Sequence, residues 1–132
     1  MTTSIDSANC ICLSGDPYAA CCGRFHSGRA EAATAEQLTR SRYSAFALLD
    51  EAYLLRTHHP STAPASLDLD TAMEWRRLDI VSTSNGGPFD TEGTVEFKAY
   101  YRQGRERGVL HEKSRFVRED GRWLYVDGDI LA

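Results

Sequence analysis

Several features that would assign a function quickly are missing from this sequence. Neither sign of charge dominates, because 15 lysines and arginines stand against 19 aspartates and glutamates, a net charge of −4. This balance offers no broad basic surface, so we expect neither nucleic acid nor an anionic membrane as a partner. No segment reaches the roughly 20 apolar residues of a membrane span, and the first residues lack the charged and apolar parts of a signal peptide. We therefore expect a cytoplasmic protein.

The motifs of common enzyme classes are absent as well. The sequence contains no P-loop, no G-x-G-x-x-G, no H-E-x-x-H and no G-x-S-x-G. The segment Asp127-Gly128-Asp129 is too short for a calcium loop, since it lacks spaced carboxylates and a closing glutamate. No catalytic arrangement is evident from motifs alone.

Cysteine is confined to one segment near the N-terminus, where a C-x-C-x8-C-C pattern comprises Cys10, Cys12, Cys21 and Cys22. Four thiolates this close in sequence suit a tetrahedral structural zinc site, and a reducing compartment favours metal over disulfides. Four cysteine ligands leave no open position on the metal, so we predict a structural zinc ion. Two alternatives are redox-active thiols at Cys21 and Cys22, and His26 replacing one cysteine as a ligand.

The composition divides the chain into a knuckle at 1–28 and a second unit at 29–132. The turn-forming segment Ser14-Gly15-Asp16-Pro17 predicts that the two cysteine pairs fold back onto each other. Apolar residues at helical spacing then predict helix from Thr34 to about His58, with a second short helix beginning at Asp50. We also expect a short helix over residues 66–75.

The pattern after this region changes to strands with turn signals between them. The predicted strands are Arg77 to Thr83, Thr91 to Arg102, Gly108 to Arg118 and Arg122 to Val126. Helices followed by a four-stranded meander predict an α+β fold, with the helices packed on one face of a curved antiparallel sheet.

Several segments resemble known families. The cysteine cluster resembles the SEC-C motif, a zinc-binding element also found in the translocase ATPase SecA. Five further segments are similar to the YchJ-like family of uncharacterised bacterial proteins: Arg40-Ser-Arg-Tyr-Ser-Ala-Phe46, Thr57-His-His-Pro60, Trp75 with Leu78 and Ile80, His111-Glu-Lys-Ser-Arg-Phe116, and Trp123-Leu-Tyr-Val-Asp-Gly128. The resemblance implies a zinc knuckle joined to a nuclear-transport-factor-2-like cone (a cystatin-like shape). This chain departs from the pattern at His58, where relatives often have tryptophan.

A cone of this type encloses a cavity between helices and sheet, which suits a small ligand. The residues expected to serve it are Arg42, Tyr43, His59, Trp75 and His111. Neighbours on a strand point to opposite faces, so His111 and Glu112 cannot both face the cavity. Each residue also has a structural interpretation: the aromatic rings could be core, and Arg40 and Arg42 could pair with Glu112 or Asp127 and fix the helix on the sheet.

Three functional hypotheses follow. The first is a binding or adaptor protein, with the knuckle docked on a protein partner and a small molecule or second partner held by the cone. The second is a small cavity enzyme with His111 or His59 as general base. The third is a thiol redox sensor using the cysteine cluster. The sequence leaves the oligomeric state open.

Overall fold

The computed structural model describes residues 8–131, which form three helices followed by four strands. A short 3-10 turn, Tyr18–Ala20, precedes the helices, which are α1 (Cys22–His26), α2 (Ala35–Ala47) and α3 (Glu51–Arg56). The strands are β1 (Met73–Asn85), β2 (Glu92–Gln103), β3 (Glu106–Glu119) and β4 (Arg122–Ile130). This arrangement confirms the predicted α+β class and extends the predicted strands at most of their ends. Among residues 8–131, no helix is long and apolar enough to cross a membrane.

Local side-chain chemistry sets the limits of α2. The Thr34 hydroxyl accepts a hydrogen bond from the Gln37 N–H, and the Gln37 side chain accepts one from the Ala33 N–H. At the other end, Leu49 adopts a left-handed φ of 59°. Its N–H donates to Phe46 O and the Asp50 N–H donates to Ala45 O, the bonds of a Schellman motif. The Asp50 carboxylate then caps α3 through the Tyr53 N–H.

The sheet is an antiparallel meander in the order β1-β2-β3-β4. One extra residue interrupts the pairing at Arg76 and at Val81 in β1, and at Val126 in β4. Such bulges bend a strand and change which residues share a face. Trp75 and Leu78 therefore both face the helices, although residues three apart on a regular strand point to opposite sides.

The helices cover one face of this sheet, and α2 packs against β1, β2 and β4. The main core lies between the two layers and includes Leu38, Leu54, Val95 and Trp123. A second buried cluster joins the four cysteines to Tyr43, Leu78 and Ala99. The knuckle is thus packed onto the rest of the fold through shared apolar surface.

The helix predicted over residues 66–75 is wrong. Residues 66–72 are irregular and Trp75 belongs to β1. Leu67 and Leu69 alternate with aspartates, and both leucines pack against the main core. A helix would separate two apolar residues at this spacing, whereas an extended segment places both on one side.

Candidate functional site

The four cysteines converge at one buried point of the knuckle. Their sulfur atoms all lie within 4.8 Å of one another, and all four residues are buried. The turn between the pairs brings this about: the Cys10 N–H donates to Asp16 O at 2.8 Å, and Gly15 adopts a φ of 92°. We call this group the cysteine cluster.

The spacing of the sulfur atoms fits a tetrahedral metal ion. A zinc–sulfur bond of about 2.3 Å places tetrahedral ligand atoms roughly 3.8 Å apart. The Cys12 and Cys21 sulfur atoms lie 3.6 Å apart, and those of Cys21 and Cys22 lie 4.0 Å apart. The four cysteines form no disulfide. They are therefore able to hold a metal ion as a closed set of four ligands.

The thiols influence one another's protonation strongly. Hydrogen bonding to the Cys10 sulfur raises the pKa of Cys12 and of Cys22, with burial adding to the effect. The same hydrogen bonds lower the pKa of Cys10. Neighbouring thiolates repel one another in this buried site, so a bound cation is needed for all four to ionise together.

Residues around the cysteine cluster hold it in place. The Ser44 hydroxyl of α2 donates to the Cys22 sulfur at 3.3 Å, and Ser14 Oγ lies 3.1 Å from the Cys21 sulfur. Arg40 donates to the carbonyl oxygen of Cys12. Such outer contacts orient metal ligands. Gly23 is needed because a Cβ there would lie 2.7 Å from the Tyr18 carbonyl oxygen.

His26 does not take part in the cluster. Its Nε2 lies 2.8 Å from the carbonyl oxygen of Ser41, which can only accept, so Nε2 carries the proton. Its Nδ1 lies 2.6 Å from the Tyr18 hydroxyl. Both ring nitrogens are engaged, and the group able to hold a metal consists of the four cysteines.

A second feature, which we call the inner cavity, lies between α2 and the inner face of the sheet. Its volume is about 240 Å³, far above the roughly 10–15 Å³ that a single water needs. The walls are largely apolar and aromatic, as in most small-molecule sites. The polar lining residues are Thr39, Arg42, Tyr43, His58, Glu112, Ser114 and Tyr125.

Arg42 is the buried cation of the inner cavity, with a relative exposure of 8%. Its Nη1 donates to the Leu54 carbonyl oxygen at 2.9 Å and to the Thr57 hydroxyl at 2.7 Å. The guanidinium lies over the Tyr125 ring, 4.6 Å from its centroid. Burial lowers the pKa of Arg42 to about 10, so the side chain remains charged at neutral pH.

Glu112 supplies the opposite charge. Its Oε2 accepts from the Ser114 hydroxyl at 2.7 Å and from the Tyr125 hydroxyl at 3.1 Å. Burial, and then the nearby Glu112 charge, raise the pKa of Tyr125 to about 12, so its hydroxyl keeps the proton that it donates. Gly128 makes room for the carboxylate, since a Cβ there would lie 2.2 Å from Oε2.

The Tyr43 hydroxyl is the third polar group. Tyr43 is 6% exposed, and among the described residues its hydroxyl is the one buried side-chain polar atom without a hydrogen-bond partner. Burial raises its pKa to about 12. The ring contacts Trp75 edge-on at 6.0 Å between centroids. Tyr43 thus lines the inner cavity as a residue, while its hydroxyl is itself buried and carries an unused donor.

The structure brings together three of the five predicted cavity residues: Arg42, Tyr43 and Trp75 line the inner cavity. His59 and His111 are not among its described lining residues. His59 Nε2 lies 2.9 Å from Glu119, and His111 Nε2 lies 2.7 Å from Glu96. For His111 the reason is strand alternation, because Glu112 takes the inward position. These two histidines therefore lie outside the described lining of the inner cavity, and a ligand role for them stays a prediction.

The predicted ion pairs of the α2 arginines also differ from the structure. Arg40 pairs with Glu36 on its own helix at 3.1 Å, and Asp127 pairs with Arg115. Among the described residues, no ion pair within 4.0 Å joins Arg42 to Glu112, although the two charges interact electrostatically.

Sequence reasoning missed five polar cavity residues, namely Thr39, His58, Glu112, Ser114 and Tyr125. Strand alternation could have identified two of them, since Glu112 and Ser114 share the strand face of buried Phe116. His58 depends on a tertiary contact, a bridge to Tyr125 in β4. Burial and the nearby Arg42 lower its pKa, which favours the neutral imidazole.

Comparison with known proteins identifies a family for this chain. The family described as YchJ, middle NTF2-like domain, matches residues 34–128. The chain belongs to the YchJ-like family. Its SEC-C motif, at residues 7–24, includes all four cysteines. This YchJ-like protein is 55% identical over 122 residues to a UPF0225 protein of Streptomyces coelicolor, covering 92% of this chain and 95% of the relative.

Other proteins are similar to this YchJ-like protein over most of its length. A UPF0225 protein of Streptomyces avermitilis is 52% identical over 130 residues, covering 98% of this chain and 90% of the relative. The solution structure of a SEC-C motif containing protein from Rhodopseudomonas palustris is 34% identical, with a TM-score of 0.81, and covers 94% of this chain and 99% of that one. The crystal structure of a sec-c motif containing protein from Psychrobacter arcticus is 26% identical, with a TM-score of 0.78, over 98% of this chain and 86% of that one.

Proposed function

We propose that this chain is a binding protein in which a structural zinc ion holds the knuckle and a small organic molecule occupies the inner cavity. The observation that carries the proposal is buried, charged Arg42 in the wall of a mostly apolar cavity. A buried charge is costly unless it is compensated, and a ligand that accepts hydrogen bonds from it would provide compensation.

The argument for zinc rests on the donor set. Four thiolates at tetrahedral spacing suit zinc, and a closed site of this kind stabilises a fold without supplying an open position for chemistry. Redox sensing by Cys21 and Cys22 is the competing interpretation. Redox-active cysteines are usually solvent-accessible, whereas these residues are buried, which favours the structural role.

The cavity supports binding better than the histidine-based reaction considered from the sequence. A general base must reach the proton that it removes. His59 and His111, the candidates for this role, are instead paired with carboxylates away from the inner cavity. The cavity has seven polar lining residues, among them Arg42, Glu112 and His58, a set suited to recognising a polar head group.

Native mass spectrometry of protein purified without a metal-chelating tag tests both parts. We expect 14.7 kDa plus one zinc ion and an additional mass from a co-purified small molecule. Combined replacement of Cys21 and Cys22 by serine should remove the zinc. His26→Gln is the control, because His26 ends the short helix that begins at Cys22 but contributes no ligand, and this variant should retain the metal. Metal-free protein with intact thiols would contradict the zinc assignment.

A second candidate function is docking of the knuckle on a protein partner. Leu13 favours it, because this residue between the cysteine pairs is 56% exposed and adopts a φ of 66°. Pull-down with Leu13→Ser, which leaves all four cysteines intact, should lose partners that the unchanged chain retains; identical partner sets would count against docking. Cytoplasmic location stays a prediction.

A further inference from the structure

The charged groups of the inner cavity carry information about its ligand. Arg42 and Glu112 have opposite charges and line the same cavity, yet no ion pair within 4.0 Å joins them. Each is held by its own protein partners instead. Leu54 and Thr57 hold the guanidinium, and Ser114 and Tyr125 hold the carboxylate. Two charges fixed separately in one cavity present a donor and an acceptor to whatever lies between them.

Each group also has hydrogen-bonding capacity left over. Within residues 8–131, the bonds of Arg42 all come from Nη1, which leaves Nε and Nη2 without a protein acceptor. Both bonds to Glu112 go to Oε2, which leaves Oε1 without a protein donor. The Tyr43 hydroxyl has no partner at all among these residues. Within residues 8–131 the Tyr43 hydroxyl is the one buried side-chain polar atom without a partner, so the free atoms of Arg42 and Glu112 are open to solvent. A bound molecule can take the place of that solvent and pair with both residues.

Building on the proposed function, we infer that the inner cavity binds a small apolar molecule whose head group both accepts from Arg42 and donates to Glu112. Carboxamides and α-amino acids share this chemistry. A plain carboxylate would meet Arg42 but place a second negative charge beside Glu112. A plain amine would meet Glu112 but place a second positive charge beside Arg42. A head group with both functions satisfies both residues.

The remainder of the ligand follows from the walls and the volume. Trp75 contacts Tyr43 and Phe46, with ring centroids 6.0 and 6.5 Å apart, and Phe116 lies 5.8 Å from Tyr125. These walls favour an aromatic or branched aliphatic body. A cavity of about 240 Å³ is below the usual range for drug-sized ligands, so the molecule is small.

Four probes with one phenyl body and different head groups test the inference on the zinc-loaded chain. They are 3-phenylpropanamide, L-phenylalanine, 3-phenylpropanoate and 3-phenylpropylamine. Binding of each is measured from the backbone amide NMR shifts of residues that line the cavity. We expect the amide and the amino acid to bind about tenfold more tightly than the carboxylate or the amine. One unsatisfied or repelled buried charge corresponds to about this ratio.

Two variants assign the preference to its residues. In Glu112→Gln the carboxylate probe should gain affinity relative to the amide, and the amine probe should lose it. In Arg42→Met the amine should gain relative to the carboxylate. Thermal unfolding checks that each variant folds; if Arg42→Met does not, Glu112→Gln alone decides.

The outcomes separate this inference from the function on which it rests. Equal binding of all four probes, or an unchanged order in Glu112→Gln, would overturn the ligand class while leaving the cavity as a small-molecule site. If no probe shifts a cavity residue and native mass spectrometry finds only zinc, both the ligand class and the binding function fail.

Discussion

The cysteine cluster and the inner cavity both contact α2, but they differ in how completely their polar groups are used. In the cluster four sulfur atoms face one point and are held by Ser14 and Ser44. In the cavity Arg42, Glu112 and Tyr43 retain unused hydrogen-bonding capacity. The first arrangement is suited to a permanent ion and the second to an exchangeable molecule. The two regions therefore differ in how many of their polar groups have partners, and this difference underlies the separate roles that we propose for them.

Removing the proposed metal ion is expected to have the largest effect. Combined replacement of Cys21 and Cys22 by serine should destabilise the chain by more than about 4 kcal/mol, because loss of a structural metal is among the most damaging changes. The free energy of urea unfolding, compared with that of the unchanged chain, measures this loss. If the double variant and the unchanged chain have the same free energy of unfolding, the cysteine cluster has no structural role.

A smaller effect is expected from Gly128→Ala, which tests the packing around Glu112 in the inner cavity. A Cβ in Gly128→Ala would lie 2.2 Å from the Glu112 carboxylate, displacing it from Ser114 and Tyr125 at a cost of about 1–3 kcal/mol. The free energy of unfolding measures this cost. In a Glu112→Ala background the same glycine change should cost much less, because the clash has been removed. Additive effects of the two changes would contradict the close packing of Gly128 and Glu112.

Much of this comparison was accessible from the sequence. Cysteine spacing predicted the cluster, and period-two alternation predicted the strands. Alternation fails where strands bulge. The extra residues Arg76 and Val126 reverse the alternation, so residues after each bulge face the opposite side from the one that counting from Trp75 or Tyr125 predicts. The inward position of His58 depends on its bridge to β4, a contact between distant segments. The helix expected at 66–75 fails because two core contacts outweigh local preference.

Leu49→Gly is expected to have a modest, stabilising effect and tests α2 itself, apart from either site. Leu49 adopts a φ of 59° and is 45% exposed, so glycine would relieve backbone strain with little loss of packing. We expect a gain of about 0.5–1 kcal/mol in the free energy of unfolding. Leu48→Gly is the control, because Leu48 has a φ of −95°, and it should not stabilise the chain. A loss in Leu49→Gly would show that its side chain contributes more than the strain costs.

The smallest expected effect is a change in pH dependence at His58. Burial and Arg42 lower the pKa of His58 below its ordinary 6.5, so the unfolded chain binds this proton more readily than the folded chain. Stability attributable to this residue should therefore fall as pH decreases from about 7 to 5. His58→Gln should flatten that part of the profile, as measured by urea midpoints at several pH values. An unchanged profile would mean that His58 is as free to protonate in the folded chain as in water.

Tyr43 and Ser44 are consecutive residues of α2, and they serve different sites. The Ser44 hydroxyl donates to a cysteine sulfur, while Tyr43 lines the cavity and packs in the same buried cluster as the cysteines. A shift of this helix turn would alter both sites together. Thermodynamic linkage is reciprocal, so any factor by which the proposed metal ion changes affinity for the proposed ligand must equal the factor by which that ligand changes affinity for the metal. Titrating the metal with and without a cavity probe would therefore measure the coupling through this helix turn from either side.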